Sequence, residues 1–109
     1  MIAARVTQAS SVHVVDMIYV EVISALRHIG SRGELSAARA DLAINALSQL
    51  RLRRHSARPL SRRIWELRST HGAYDAAYVA LAESLHAPLL TTDGRLARSR
   101  GHGAQIVEP

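Results

Sequence analysis

Two aspartates are the side chains of this chain best placed to do chemistry. Asp75 stands at the start of an apolar run, Tyr74, Ala77, Tyr78, Leu81 and Leu85, whose steps of three and four make one face of a helix. It points toward Tyr78, Val79 and Ala82, which predicts a carboxylate on a mostly apolar side. Such a group is costly unless something pairs with it. A structural reading stands beside this one: Gly72 is placed to cap the helix, and an acid in the first turn suits the positive helix end. Asp93 closes a short apolar strand predicted over residues 88–92. Asp-Gly is a hairpin signal, yet Arg95, Leu96, Ala97 and Arg98 do not alternate as a returning strand should. They read as a short helix that Asp93 opens. A carboxylate at the end of a buried strand, beside a helix start, lies where ligands bind in open α/β sheets.

A third acid, Glu21, lies on the edge of an apolar stripe formed by Ile18, Val22, Ala25 and Ile29. Alone it reads as a solvated or ion-paired residue. Clustered carboxylates repel one another. A hard cation relieves that repulsion, lowers the pKa of bound water and clamps phosphate oxygens. Converging acids without His or Cys ligands therefore point to Mg²⁺ or Mn²⁺ rather than zinc. The chain has no cysteine, and its six histidines have no metal-ligand spacing such as H-E-x-x-H.

The stretch YDAAYVALAE, followed by an apolar strand and TTD, resembles the C-terminal half of PIN-domain ribonucleases, in particular the VapC toxins of bacterial toxin–antitoxin pairs. DMIYVEVISALRHI resembles the family segment that carries an active-site glutamate. The resemblance is strong over residues 71–98, good over 13–29 and loose elsewhere. It implies that Asp75, Asp93 and Glu21 bind a divalent metal, Mg²⁺ or Mn²⁺, and activate water for cleavage of RNA phosphodiesters. Beside these acids, the Thr92 hydroxyl is expected to hold a carboxylate or the scissile phosphate, and Arg95 to contact RNA. The resemblance also implies a cognate antitoxin as partner and a homodimer. The fold expected is α/β: a PIN-like three-layer arrangement, with a short parallel sheet flanked by helices, as a single domain over residues 1–109.

One departure from the family bears on activity. PIN domains begin with a buried central strand carrying a catalytic Asp, and this chain has no V-V-D-A-S-like segment in that place. The sheet is therefore expected to lack its usual first strand, leaving unpaired backbone groups on its neighbours, and the domain to be N-terminally incomplete, unstable or inactive alone. The competing reading is a non-catalytic remnant that docks an antitoxin or dimerises.

Composition agrees with a small globular domain. The 48% hydrophobic content supports a core rather than disorder. All 14 basic residues are arginine, and with 9 acids the net charge is +5, which favours phosphate partners. A secretion signal and an apolar run long enough to span a bilayer are both lacking, so a cytoplasmic location is expected. No helix has the arginine-faced, short-looped form of a helix-turn-helix.

The remaining elements serve these residues. Residues 1–9 read as weakly helical, 13–29 as a helix after an irregular start with Asp16 as its N-cap, and 34–50 as a packing helix with Arg39 and Asp41 outward. Residues 50–55 read as a strand and 62–69 as a helix capped by Ser61, with Trp65 in the core. Seven of the arginines lie between Arg51 and Arg68, in mixed phases that cannot share one face. Residues 104–107 read as a last short strand.

Overall fold

The helix bearing Asp75 is built to be swallowed by a sheet. Its middle is small and apolar, so it can lie close to the strands on every side. In the computed structural model, which describes residues 4–8, 11–91 and 93–108, Ala76 to Ala82 are all buried. The helix, Ala73–Leu85 (α4), starts at Gly72 and ends at His86 in a left-handed conformation, with the Ala87 N–H donating to Ala82 O. That closing turn satisfies late helix carbonyls and sends the chain straight into the strand Leu89–Thr91 (β4).

The sheet has five strands. Besides β4 they are Ala4–Gln8 (β1), Ser11–Val15 (β2), Leu52–His55 (β3) and Ile106–Val107 (β5), in the order β3-β2-β1-β4-β5. The pairs β2–β3 and β4–β5 are parallel, whereas β1 runs antiparallel to both neighbours, with Val6 opposite His13 on one side and Leu89 on the other. α4 packs on β1, β2 and β4. Val6, Val14, Val15, Leu89 and the helix alanines form the core of this unit.

Four expectations are corrected here. Residues 4–8 form a strand, not a weak helix: Val6 is fully buried between two strands, and tertiary pairing overrides local propensity. The central place in the sheet is filled, so β2 and β4 do not present unpaired edges to each other. The strand that fills it runs the opposite way and, as ARVTQ, carries no acid. The sheet is therefore mixed rather than parallel. Residues 11–15 form β2, and the following helix starts only at Ile18, with Met17 and not Asp16 in the N-cap position and no side-chain cap.

The described residues fall into two compact units. One comprises Met17–Arg51; the other joins the chain up to Asp16 with the chain from Leu52 onward. The first holds the helices Ile18–Ser31 (α1) and Ala37–Gln49 (α2), which pack on each other. Ser36 caps α2 by accepting from the Arg39 N–H. Arg39 and Asp41 face solvent as expected, but the expected packing stripe is open too, with Leu42 68% exposed and no α2 residue buried.

In the second unit a 3-10 turn, Arg58–Leu60, leads into the helix Ser61–Glu66 (α3), which packs on α4. The Ser61 hydroxyl donates to Ala57 O instead of capping α3. Arg63 of α3 grips Glu83 of α4 with two N–H donors, at 2.7 and 2.8 Å, and Glu83 also accepts from the Gly103 N–H at 2.7 Å. One carboxylate thus ties α3, α4 and the loop before β5. The Arg63 hydrogen bonds hold the Glu83 carboxyl below the usual carboxylate range, against the opposing effect of burial.

Because that value is depressed on folding, Glu83 contributes stability that is fully present above the ordinary carboxylate range and is lost as pH falls through its lowered value. Glu83→Gln is expected to lose on the order of 1–2 kcal/mol in urea unfolding at neutral pH, and the gap from wild type should narrow on acidification. An equal deficit at every pH would contradict the assignment.

Candidate acidic site

The directions of the strands decide which acids share an edge. Since β2 and β4 each run antiparallel to β1, they run parallel to each other, and β3 follows β2. α4 feeds β4 through only three residues, 86–88, so helix and strand run in opposite senses. The first turn of α4 therefore lies at the same edge of the sheet as the C-terminal end of β4. Asp75 is in that turn, and Asp93 follows that strand.

Asp75 is exposed, with Ala73 and Tyr74. Burial starts abruptly at Ala76, while Tyr78, Val79 and Ala82 are at most 2% exposed. The expected apolar surroundings are thus corrected: the first turn stands clear of the sheet, so the carboxylate is solvated although its later helical neighbours are not. Tyr74, assigned to the apolar face, is 64% exposed for the same reason.

Asp93 is half-buried and opens the short helix Gly94–Ala97 (α5), with no hairpin return. Its Oδ1 accepts the Arg95 N–H at 2.9 Å, and its own N–H donates to the Thr91 hydroxyl at 3.0 Å. Thr91, 1% exposed, anchors this turn to the end of β4. The Arg95 side chain is exposed. Thr92 lies outside the described residues. Glu21 is half-buried in the first turn of α1, in the other unit.

Two further groups belong to the edge or its margin. Asp16, read from sequence as a cap, is exposed at the C-terminal end of β2, its N–H donating to His55 O of β3. The signal that could have found it is the apolar run VHVV ending in an acid. β2 and β4 flank β1, which separates their ends by about 10 Å of strand spacing. One Mg²⁺ with oxygen ligands at about 2.1 Å needs a closer approach than that. Among the described residues, no group of three or more His, Asp or Glu is placed to hold a metal ion.

His71, just before α4, is 8% exposed; its Nδ1 lies 2.8 Å from the Thr70 hydroxyl and its ring meets His102 edge-on. Burial, then the neighbouring His102, push its pKa below the ordinary histidine value, against the opposing pull of Asp75 and Glu83. Burial thus favours the neutral imidazole in the folded chain.

The donor chemistry of Asp75 and Asp93, two accessible carboxylates at one sheet edge, suits a hard divalent cation. The PIN domain family model matches residues 2–101, and the chain belongs to that family. Within it, the relatives are of the VapC type. The chain is 43% identical over 103 residues to "Ribonuclease VapC12" of Mycobacterium tuberculosis (strain CDC 1551 / Oshkosh), which covers 94% of this chain and 80% of the relative. It is 39% identical over 94 residues to "VapC ribonuclease Mb0985" of Mycobacterium bovis, covering 86% and 74%. It is 43% identical over 79 residues to "Ribonuclease VapC3" of M. tuberculosis, covering 72% and 58%.

The two aspartates should separate in stability measurements. Asp93→Ala removes the acceptor for the Arg95 N–H and is expected to cost about 1 kcal/mol in chemical denaturation. Asp75→Asn, at an exposed site, should stay within about 0.5 kcal/mol of wild type. A large loss in Asp75→Asn would mean that Asp75 carries structure rather than chemistry.

Proposed function

We propose that this chain is a VapC-type toxin: a cytoplasmic, divalent-metal-dependent endoribonuclease that is neutralised by a cognate antitoxin and acts as a homodimer. The whole chain is taken as one PIN domain. The observation that carries the reading is the placement of Asp75 and Asp93, from a helix start and a strand end, at one edge of the sheet.

In this reading Asp75 and Asp93 hold Mg²⁺ or Mn²⁺, with Glu21 as the third acid. A bound cation would supply charge neutralisation at the scissile phosphate and a more acidic water. Asp75 stands in solvent, free to take a ligand without disturbing the fold. Asp93 has one oxygen fixed by the Arg95 N–H, which orients the carboxylate before any ligand arrives. In this reading the exposed Arg95 meets a phosphate, and Thr92 is assigned an RNA contact. Partner docking has its own support in the first unit, where Val20, Ile23, Leu42 and Leu50 are 72%, 48%, 68% and 56% exposed. Apolar side chains this open favour a protein partner.

A second reading has a specific observation behind it. β1 occupies the centre of the sheet without bringing an acid to the edge. A chain so built would bind an antitoxin or a second copy and leave RNA intact.

The test is cleavage of a labelled RNA by the purified chain, with Mg²⁺ or Mn²⁺ and with EDTA. Cleavage is expected to stop with EDTA and to fall at least a hundredfold in Asp75→Asn and in Asp93→Asn, as for loss of a metal ligand. Cleavage that survives EDTA, or is untouched in both variants, would sink the enzyme reading. Absence of cleavage with retained antitoxin binding would select the second reading.

A further inference from the structure

The lone tryptophan is not where its size would put it. Sequence reasoning assigns Trp65 to the core, yet it is 62% exposed on α3. α3 buries no residue of its own; it is held against α4 through the Arg63–Glu83 pair, and the neighbouring Leu60 and Leu67 enter the core in place of Trp65. Trp65 lines a shallow depression of about 460 Å³ with Arg58, Pro59, Ser61 and Arg62. Outside that depression, the Arg68 guanidinium stacks over the indole, 4.1 Å from its centroid, and donates to Trp65 O at 2.9 Å. The ring is therefore held by a cation and still open to solvent.

The charges around it are uncommitted. Among the described residues, the salt bridges use Arg32 and Arg63, and the nearby Glu66 is taken by Arg63. Among the described residues, Arg58, Arg62 and Arg68 have no carboxylate partner. α3 then leads through residues 67–72 into the first turn of α4, where Tyr74, also 64% exposed, adjoins Asp75. Two of the chain's four aromatic side chains thus stand in solvent along the path that ends at the acidic edge.

We propose that the outer face of α3 is a platform for single-stranded RNA, separate from the acidic site, in which a base stacks on Trp65 and phosphates meet Arg58 and Arg62. Arg68 and Tyr74 continue the track toward Asp75. Open indole and guanidinium planes, with free positive charge between them, are the surface that an unpaired polynucleotide recognises. A protein partner would want apolar area, and this face offers little beyond the one ring. The choice of RNA as the polynucleotide rests on the ribonuclease reading; the stacking surface does not.

The test is equilibrium binding of a fluorescent mixed-sequence single-stranded RNA by fluorescence anisotropy. It is made in the Asp75→Asn background with metal omitted, so that cleavage plays no part. Trp65→Ala is expected to weaken binding about tenfold or more, the size of one lost stacking contact. Arg58→Ser with Arg62→Ser should weaken binding and flatten its salt dependence by roughly one to two phosphate contacts. Both side chains are exposed, so melting temperatures serve as the control for folding, and Trp65→Phe should recover much of the binding. Unchanged affinity in Trp65→Ala and in the arginine pair overturns the platform. So does unchanged RNA affinity with a loss of dimer in light scattering, which would give the face to a second copy. Trp65-dependent binding by a parent chain that never cleaves RNA would keep the platform and reject the nuclease reading.

Discussion

The close seating of α4 on the sheet is the constraint from which the rest follows. Seven successive helix residues, Ala76 to Ala82, are buried, four of them alanine. Small side chains let the helix lie close to β1, β2 and β4, where larger ones would hold it away. The same seating fixes what is left out. The turn before Ala76 projects past the strands and stands in solvent, which is what makes Asp75 available. At the other end the left-handed His86 turns the chain directly into β4, so Asp93 comes back to the edge from which Asp75 projects.

Secondary fastenings then hold the neighbours of α4. Glu83 joins α3 and the loop before β5 to the helix through one carboxylate. His71 and His102 meet between the same loop and the turn before α4. On the far side of β1, His13 and His55 join β2 to β3 through a 2.8 Å contact between ring nitrogens. Burial, then the charges of His55 and Arg53, keep the pKa of His13 below its ordinary value, so the His13 ring too favours its neutral form in the folded chain. Such groups bind fewer protons folded than unfolded, and stability should rise with pH through the histidine range.

Where local pattern and tertiary structure agree, the sequence was legible. The spacing from Tyr74 to Leu85 marks α4, and the failure of residues 95–98 to alternate marks α5 in place of a hairpin. Three side chains are misjudged for one reason: periodicity says which residues share a face, but not how far the covering element reaches. Asp75 and Tyr74 share their faces with buried residues and are exposed because the sheet ends first. Trp65 is hydrophobic and helical and is exposed because Leu60 and Leu67 take the core positions beside it. β1 was invisible because ARVTQ is too short and too polar to signal a strand; its neighbours on both sides impose the pairing. Asp16 was hidden by the same error, since a residue taken for a cap becomes a strand end once β2 is recognised.

The central claim is that Asp75 and Asp93 form one cation-binding edge. It is tested most directly by titrating the EDTA-dialysed chain with Mn²⁺ or Mg²⁺ while following its thermal melt, beside Asp75→Asn and Asp93→Asn. The melting temperature is expected to rise with metal in the wild-type chain, by linkage of binding to the folded state, and the rise to be lost in each variant. A melt indifferent to metal, or a rise that persists undiminished in both variants, would contradict it.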